Sequence, residues 1–228
     1  MTGLLVTIDG PGGAGKTTVS RLLAKALSYT YVDTGALYRG VALAVLSENC
    51  SANEDSKVAQ ICRHLRLRFE NSSTGPRLYM NEVDITDEIR TPELSMLASA
   101  VSARPVVREY LLGVQREMAK NGGVVFEGRD MGTVVFPDAD VKFFLDADPP
   151  VRALRRHKEL VAMGMNISLG EVAETMQKRD RDDSSRVLAP LKPAHDAIII
   201  DSTSLEINQV VKLMLGRVPG QANKGCFL

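Results

Sequence analysis

The residues best able to do chemistry stand near the front of the chain. Gly10-Pro11-Gly12-Gly13-Ala14-Gly15-Lys16-Thr17-Thr18 contains the pattern Gly-x-x-x-x-Gly-Lys-Thr, directly after the apolar run Leu4, Leu5, Val6 and Ile8. Glycines let a backbone take unusual dihedrals and turn its N–H groups inward on an anion. Lys16 brings a compact charge to phosphates, and the Thr17 hydroxyl is placed to bind Mg²⁺. A helix opening here adds the positive end of its dipole. With a strand before it and a helix after it, the segment reads as a phosphate-binding loop for a nucleoside triphosphate, not as a glycine-rich turn matching by accident.

Three other groups could act with that loop. Asp33-Thr34-Gly35-Ala36-Leu37-Tyr38-Arg39 follows a short strand. Arg39 lies about one and a half helical turns beyond the strand end, where it either forks onto a phosphate or sits at the surface of a capped helix. Glu127-Gly128-Arg129-Asp130-Met131-Gly132-Thr133 puts two acids and an arginine between glycines at another strand end. Glu127 there can hold Mg²⁺ through water, as strand-end acids do in phosphate-loop enzymes; a loop braced by its own Arg–Asp pair is the plainer alternative. Segment 149–192 carries nine basic residues against six acidic ones in a chain of net charge zero. By composition this is a solvated helix face. Beside a phosphate loop the same arginines read as a lid, which neutralises a moving phosphoryl group and keeps water out.

The elements needed to carry these groups follow from the pattern. Short apolar runs at Leu4–Ile8, Tyr31–Asp33, Val124–Phe126, Val141–Leu145 and Ala197–Ile200 alternate with helical stretches. Five such strands make a parallel, doubly wound sheet, and ligands of such sheets bind beyond the carboxyl ends of the strands. Asp33, Glu127, Asp130 and Asp146 all fall there. Residues 66–90 break the rhythm: Leu67-Arg68-Phe69, a polar Asn71–Pro76 loop, Leu78-Tyr79-Met80 and Val83-Asp84-Ile85 suggest a small antiparallel sheet. Helices are expected over 19–27, 35–46, 56–65, 92–104, 105–120, 149–163, 169–182 and, opened by Thr203 and Glu206, up to 215.

Composition removes other classes. Equal numbers of basic and acidic residues argue against a nucleic-acid coat or a membrane-surface protein. No apolar stretch is long enough to span a bilayer, and none resembles a secretory signal. Cys50, Cys62 and Cys226 are odd in number and without metal spacing, which fits reduced thiols in the cytoplasm. His64, His157 and His195 are isolated. No Asn-Lys-x-Asp guanine reader is present, which lowers the case for a GTPase switch.

Taken together the segments TIDGPGGAGKTT, DTGALYRG, DITDEIRTPE, FEGRDMGTVVFPDADVKFFLDA, KRDRDDSSRVLAPL and IIIDSTSLEINQVV resemble the bacterial cytidylate kinases. They occur in that family's order and reach to about residue 215. The resemblance implies an α/β phosphate-loop NTPase fold whose five-stranded parallel sheet is flanked by helices. It also implies an insert with a small antiparallel sheet and a helical lid. The expected single kinase domain, 1–216, divides into a core (1–35, 121–148 and 193–216), a monophosphate-binding region (36–120) and a lid (149–192), with 217–228 as a disordered tail. The implied reaction moves the γ-phosphoryl of ATP to CMP or dCMP with Mg²⁺. Thr34, Ser99, Arg108 and Asp130 resemble the cytosine readers. Arg39 and Arg129 resemble the acceptor-phosphate ligands, and Arg179, Asp183 and Arg186 the lid groups touching ribose and reacting phosphates. Lys16, Arg39, Arg129, Arg179 and Arg186 are then the charge-spreading set. Thr34, Thr17 and Glu127 stand where some members have Ser, Gly and Asp, and each keeps the functional group. A monomer is expected. Two rivals remain open: a related kinase for another nucleotide or a small acid, and a non-catalytic nucleotide switch.

Overall fold

A computed structural model describes residues 3–72 and 75–220. In chain order the strands are β1 (Leu5–Asp9), β2 (Thr30–Asp33), β3 (Leu67–Ser72), β4 (Gly75–Met80), β5 (Val83–Asp84), β6 (Val124–Glu127), β7 (Val141–Asp146) and β8 (Ile198–Asp201). The helices are α1 (Lys16–Leu27), α2 (Thr34–Ser47), α3 (Asp55–His64), α4 (Pro92–Ser102), α5 (Pro105–Ala119), α6 (Pro149–Ala162), α7 (Leu169–Ser185) and α8 (Ile207–Leu215). The five expected apolar runs form one parallel sheet in the order β2-β6-β1-β7-β8. The central strand β1 pairs with β6 (Ile8 opposite Glu127) and with β7 (Asp9 opposite Phe144). Its residues Val6 to Asp9 and all of β6 are buried, the continuous burial expected of a strand covered on both faces.

The chain divides into two compact units, one of residues 1–31 and 122–228, the other of Val32–Asn121. The first has its core where β1, β6, β7, α1 and α8 pack, around Val6, Ile8, Leu23, Phe143, Leu145 and Met214. The second has its own core, around Leu37, Val41, Val45, Leu78, Val101 and Leu111. It also holds the small antiparallel sheet β3-β4-β5.

Several local expectations are corrected. α1 opens at Lys16 rather than Val19, because Gly15 at φ 90° turns the loop straight into the helix. The supposed polar loop 71–76 is mostly ladder: Asn71 pairs with Pro76 and Ser72 with Gly75, so the hairpin is longer than its side-chain alternation suggested. Met131–Val135, outside every expected helix, is one turn of π-helix. Ser168 and Glu171 form a capping box at the start of α7. The last helix is instead boxed by Glu206 and Gln209, while Thr203 is tied to Asp201. Val218, inside the segment expected to be a tail, is buried against the first core. Cys226 and the rest of that segment from 221 lie outside the described residues.

Candidate active site

The phosphate loop is held by its geometry before any ligand is considered. Gly10 has φ +147°, and a Cβ there would come within 2.0 Å of the Leu145 carbonyl oxygen, so no larger residue fits. Lys16 Nζ donates to the Pro11 carbonyl across the loop at 2.7 Å. The ammonium is buried, and that burial, followed by repulsion from Arg129, lowers its pKa to about 7; Arg179 pushes the same way. The predicted residues Lys16, Arg129 and Arg179 are therefore close enough to feel one another's charge. Thr17 and Thr18 begin the exposed face of α1.

Glu127 joins the loop from the end of β6. Thr17 Oγ1 donates to Glu127 Oε1 at 2.8 Å, and Tyr31 Oη donates to Glu127 Oε2 at 2.6 Å. With its proton committed to Glu127, the Thr17 hydroxyl keeps its lone pairs for a cation. The donor set of one hydroxyl and one carboxylate fits Mg²⁺, which takes one or two protein oxygens and fills its other positions with water and phosphate. Tyr31 is buried, and sequence reading missed it because a tyrosine in a short strand looks like core.

Asp9 was also missed. Its carboxylate, at the end of β1, accepts from Met131 N at 2.9 Å and from Gly132 N at 2.8 Å. Those two N–H groups open the π turn that follows Arg129 and Asp130. Burial drives the Asp9 carboxyl up to about 6, although the two backbone donors pull it down. The available signal was its place: an acid between an apolar strand and the first glycine of the loop.

Asp183 is the centre of the arginines. It is 2% exposed. Arg186 Nη2 lies 2.6 Å from its Oδ1, Arg129 Nε donates to its Oδ2 at 3.2 Å, and Arg179 Nε stands 4.0 Å from the same oxygen. Four of the sequence-predicted residues thus share one cluster. α7 delivers Arg179 and Asp183 at i and i+4, one face of a helix. Asp130 is buried and close enough to raise the Asp9 pKa.

In the Val32–Asn121 unit, Asp33 caps α2 by accepting from Ala36 N at 3.1 Å, and its other oxygen accepts from Arg39 Nη2 at 3.0 Å. Arg39 Nε is buried and makes no hydrogen bond, so that donor is unsatisfied. Thr34 is buried at the start of the same helix. Arg108 on α5 donates to the Ser102 carbonyl at 3.1 Å, and its guanidinium lies 6.0 Å from the Tyr38 ring centroid. Ser99 is half-buried on α4, where its carbonyl accepts from Ser102 Oγ at 2.8 Å. Tyr38 is thus a neighbour of Arg108 that sequence reading did not single out.

The family model described as cytidylate kinase matches residues 6–219. A protein of Geobacter sulfurreducens named cytidylate kinase is 50% identical over 212 residues, covering 93% of this chain and 91% of its own. One from Citrifermentans bemidjiense with the same name is 47% identical over 223 residues, covering 98% and 96%. A third, from Carboxydothermus hydrogenoformans, is 46% identical over 210 residues, covering 92% and 95%. With the match running from β1 through α8 and taking in every residue of the clusters above, the chain belongs to the cytidylate kinase family.

Proposed function

We propose that the chain transfers the γ-phosphoryl of ATP to CMP or dCMP, giving ADP and CDP or dCDP. The observation that carries this is the Asp183 cluster. Three arginines gather on one buried carboxylate, and two of them, Arg129 and Arg179, act on the charge of the loop lysine. Phosphoryl transfer needs in-line placement and cations around the moving group far more than it needs a base. Lys16, Arg129, Arg179 and Arg186 are cations in that arrangement, and Arg39 is the acceptor-phosphate ligand with an unsatisfied Nε.

The loop from Gly10 to Thr18 takes the donor phosphates through its N–H groups. Thr17 and, through water, Glu127 would hold Mg²⁺, which when bound would offset charge developing on the phosphates. Thr34, Ser99, Arg108 and Asp130 read the base. Cytosine offers N4–H to a carboxylate and N3/O2 to a guanidinium. Uracil reverses that edge and leaves a buried acid unpaired, a large discrimination. Asp183, by meeting or ignoring a 2′-hydroxyl, sets the balance between CMP and dCMP. In domain terms, 1–35, 121–148 and 193–216 serve as core, 36–120 binds the monophosphate, and 149–192 supplies the lid groups. The chain acts as a monomer, and in the cytoplasm, where reduced thiols such as Cys50 and Cys62 persist.

The test is ADP release from Mg-ATP with CMP, dCMP, UMP and AMP as acceptors. Turnover with CMP and dCMP and little with UMP is expected. Preference for UMP or AMP would keep the kinase and overturn the base assignment. Tight ATP binding without turnover on any acceptor would favour a switch instead.

A further inference from the structure

Two arginines of α6 take no part in the chemistry above, yet Arg152 contacts the phosphate loop directly and Arg155 contacts it through Ser202. Arg152 is 5% exposed. Its Nε donates to the Ala147 carbonyl at 2.8 Å, and its Nη1 donates both to the Gly12 carbonyl at 3.2 Å and to Asp180 Oδ2 at 2.6 Å. Arg155, one turn along, donates from Nη1 to Ser202 Oγ at 3.1 Å and from Nη2 to the Ser202 carbonyl at 2.7 Å. Ser202 in turn donates its hydroxyl proton to the Ala14 carbonyl at 3.1 Å, and it is itself buried. Lys16 holds the Pro11 carbonyl. Three loop carbonyls, of residues 11, 12 and 14, are therefore each caught by a named side chain.

In a trans peptide the carbonyl and the next N–H point opposite ways, and no cis bond occurs among the described residues. Fixing the Gly12 carbonyl on Arg152 turns the Gly13 N–H away from α6. Fixing the Ala14 carbonyl on Ser202 orients the Gly15 N–H in the same fashion. The contact is also steric. A Cβ on Gly13 would lie 2.8 Å from the Arg152 carbonyl oxygen and 2.9 Å from Met176 Cε on α7. Met176 and Asp180 stand four residues apart on α7, so one face of that helix meets the loop directly and again through Arg152.

We propose that Arg152, neutralised by Asp180, and Arg155, acting through Ser202, are positioning residues that pre-set the N–H groups of the phosphate loop for ATP. They act on the loop through its carbonyls, Arg152 directly and Arg155 by way of Ser202. On this view α6 belongs to the loop's foundation rather than to a lid, and Asp180 couples the arginine-bearing α7 to it. The inference rests on reading the loop as the ATP site. An arginine cannot shed its charge when buried, so a helix that needed only packing would not place one there.

The experiment is calorimetric titration of the folded protein with Mg-ATP and, separately, with CMP. Arg152→Gln is expected to weaken ATP at least tenfold while CMP affinity stays within twofold. Arg152→Lys, keeping one cationic donor, should recover part of the loss. A folded Arg152→Gln protein that binds ATP within twofold of the parent overturns the proposal. If that variant does not fold, Ser202→Ala decides: a loss of threefold or more for ATP alone supports the proposal, and unchanged ATP affinity overturns it. A parent that binds no ATP would instead overturn the kinase reading itself. A purely structural role would lower the melting temperature and leave the ATP constant, measured well below it, unmoved.

Discussion

The phosphate loop and the Asp33–Arg39 segment both follow a strand and open a helix, but they are held differently. The loop's carbonyls are pinned by Lys16, Arg152 and Ser202, from three separate elements. The Asp33–Arg39 segment leans on itself: the acid that caps α2 also holds the arginine one and a half turns on, and one guanidinium N–H is left over. The loop is pre-organised, so its binding loses little to reordering. Arg39 is tethered at one end only. The difference teaches that one fold can fix one strand-to-helix segment from outside and leave another to hold itself; on the proposed reading these are the donor and acceptor sides.

Predictions can break or sharpen that contrast. The largest effect is expected in the prepared cluster. Arg129→Ala should lower kcat by about 10²–10³, the loss typical of removing one oriented electrostatic donor. Near-normal steady-state turnover in a folded variant would sink its assignment. Next comes Asp9, whose carboxyl titrates near 6 against an ordinary 3.8. The folded protein then holds this proton more tightly than the unfolded chain does. The Asp9 contribution to stability is present below about pH 4 and is lost as pH rises through 6, a change of roughly 3 kcal/mol. Lys16, lowered to about 7, works in the other direction, losing stability as pH falls through that value. Urea unfolding of parent and Asp9→Asn between pH 4 and 7.5 should separate the two. The difference between the proteins carries the Asp9 slope, and a flat difference would refute it.

Smaller effects belong to the half-prepared side and to the metal. Arg39→Ala should raise KM for CMP roughly 10–100-fold, the worth of a charged hydrogen bond, and leave the ATP constant nearly alone. Equal damage to both substrates would erase the contrast drawn here. Tyr31→Phe removes only the phenol that steadies Glu127. It should shift the Mg²⁺ concentration for half-maximal activity roughly tenfold, the low end of what a hydrogen bond to a charged carboxylate is worth, with kcat at saturating Mg²⁺ little changed.

Much of this was legible in the residues. The apolar runs gave all five parallel strands, and the glycine pattern located the loop, because both depend on local sequence. The arginines of α7 could be proposed as functional, but not their gathering on Asp183, since composition alone equally suits a solvated face. The pairings of Asp9, Tyr31 and Arg152 were missed for a different reason. Their partners are 122, 96 and 140 residues away for Met131, Glu127 and Gly12, and no local period encodes such pairings. The hairpin β3–β4 was underestimated because its tip is polar, and backbone pairing does not require apolar side chains.

The Asp183 cluster has one more consequence, thermodynamic rather than catalytic. Three guanidinium groups meet at a single buried carboxylate, a ready contact for an anion. Anything that binds only the folded state stabilises it by mass action, by about 2.7 kcal/mol at a hundredfold excess over its Kd. Nucleotide supply and the lifetime of the fold are thereby linked. Limited proteolysis should proceed faster in the nucleotide-free protein than in the saturated one, making the enzyme's persistence a readout of the pool it serves.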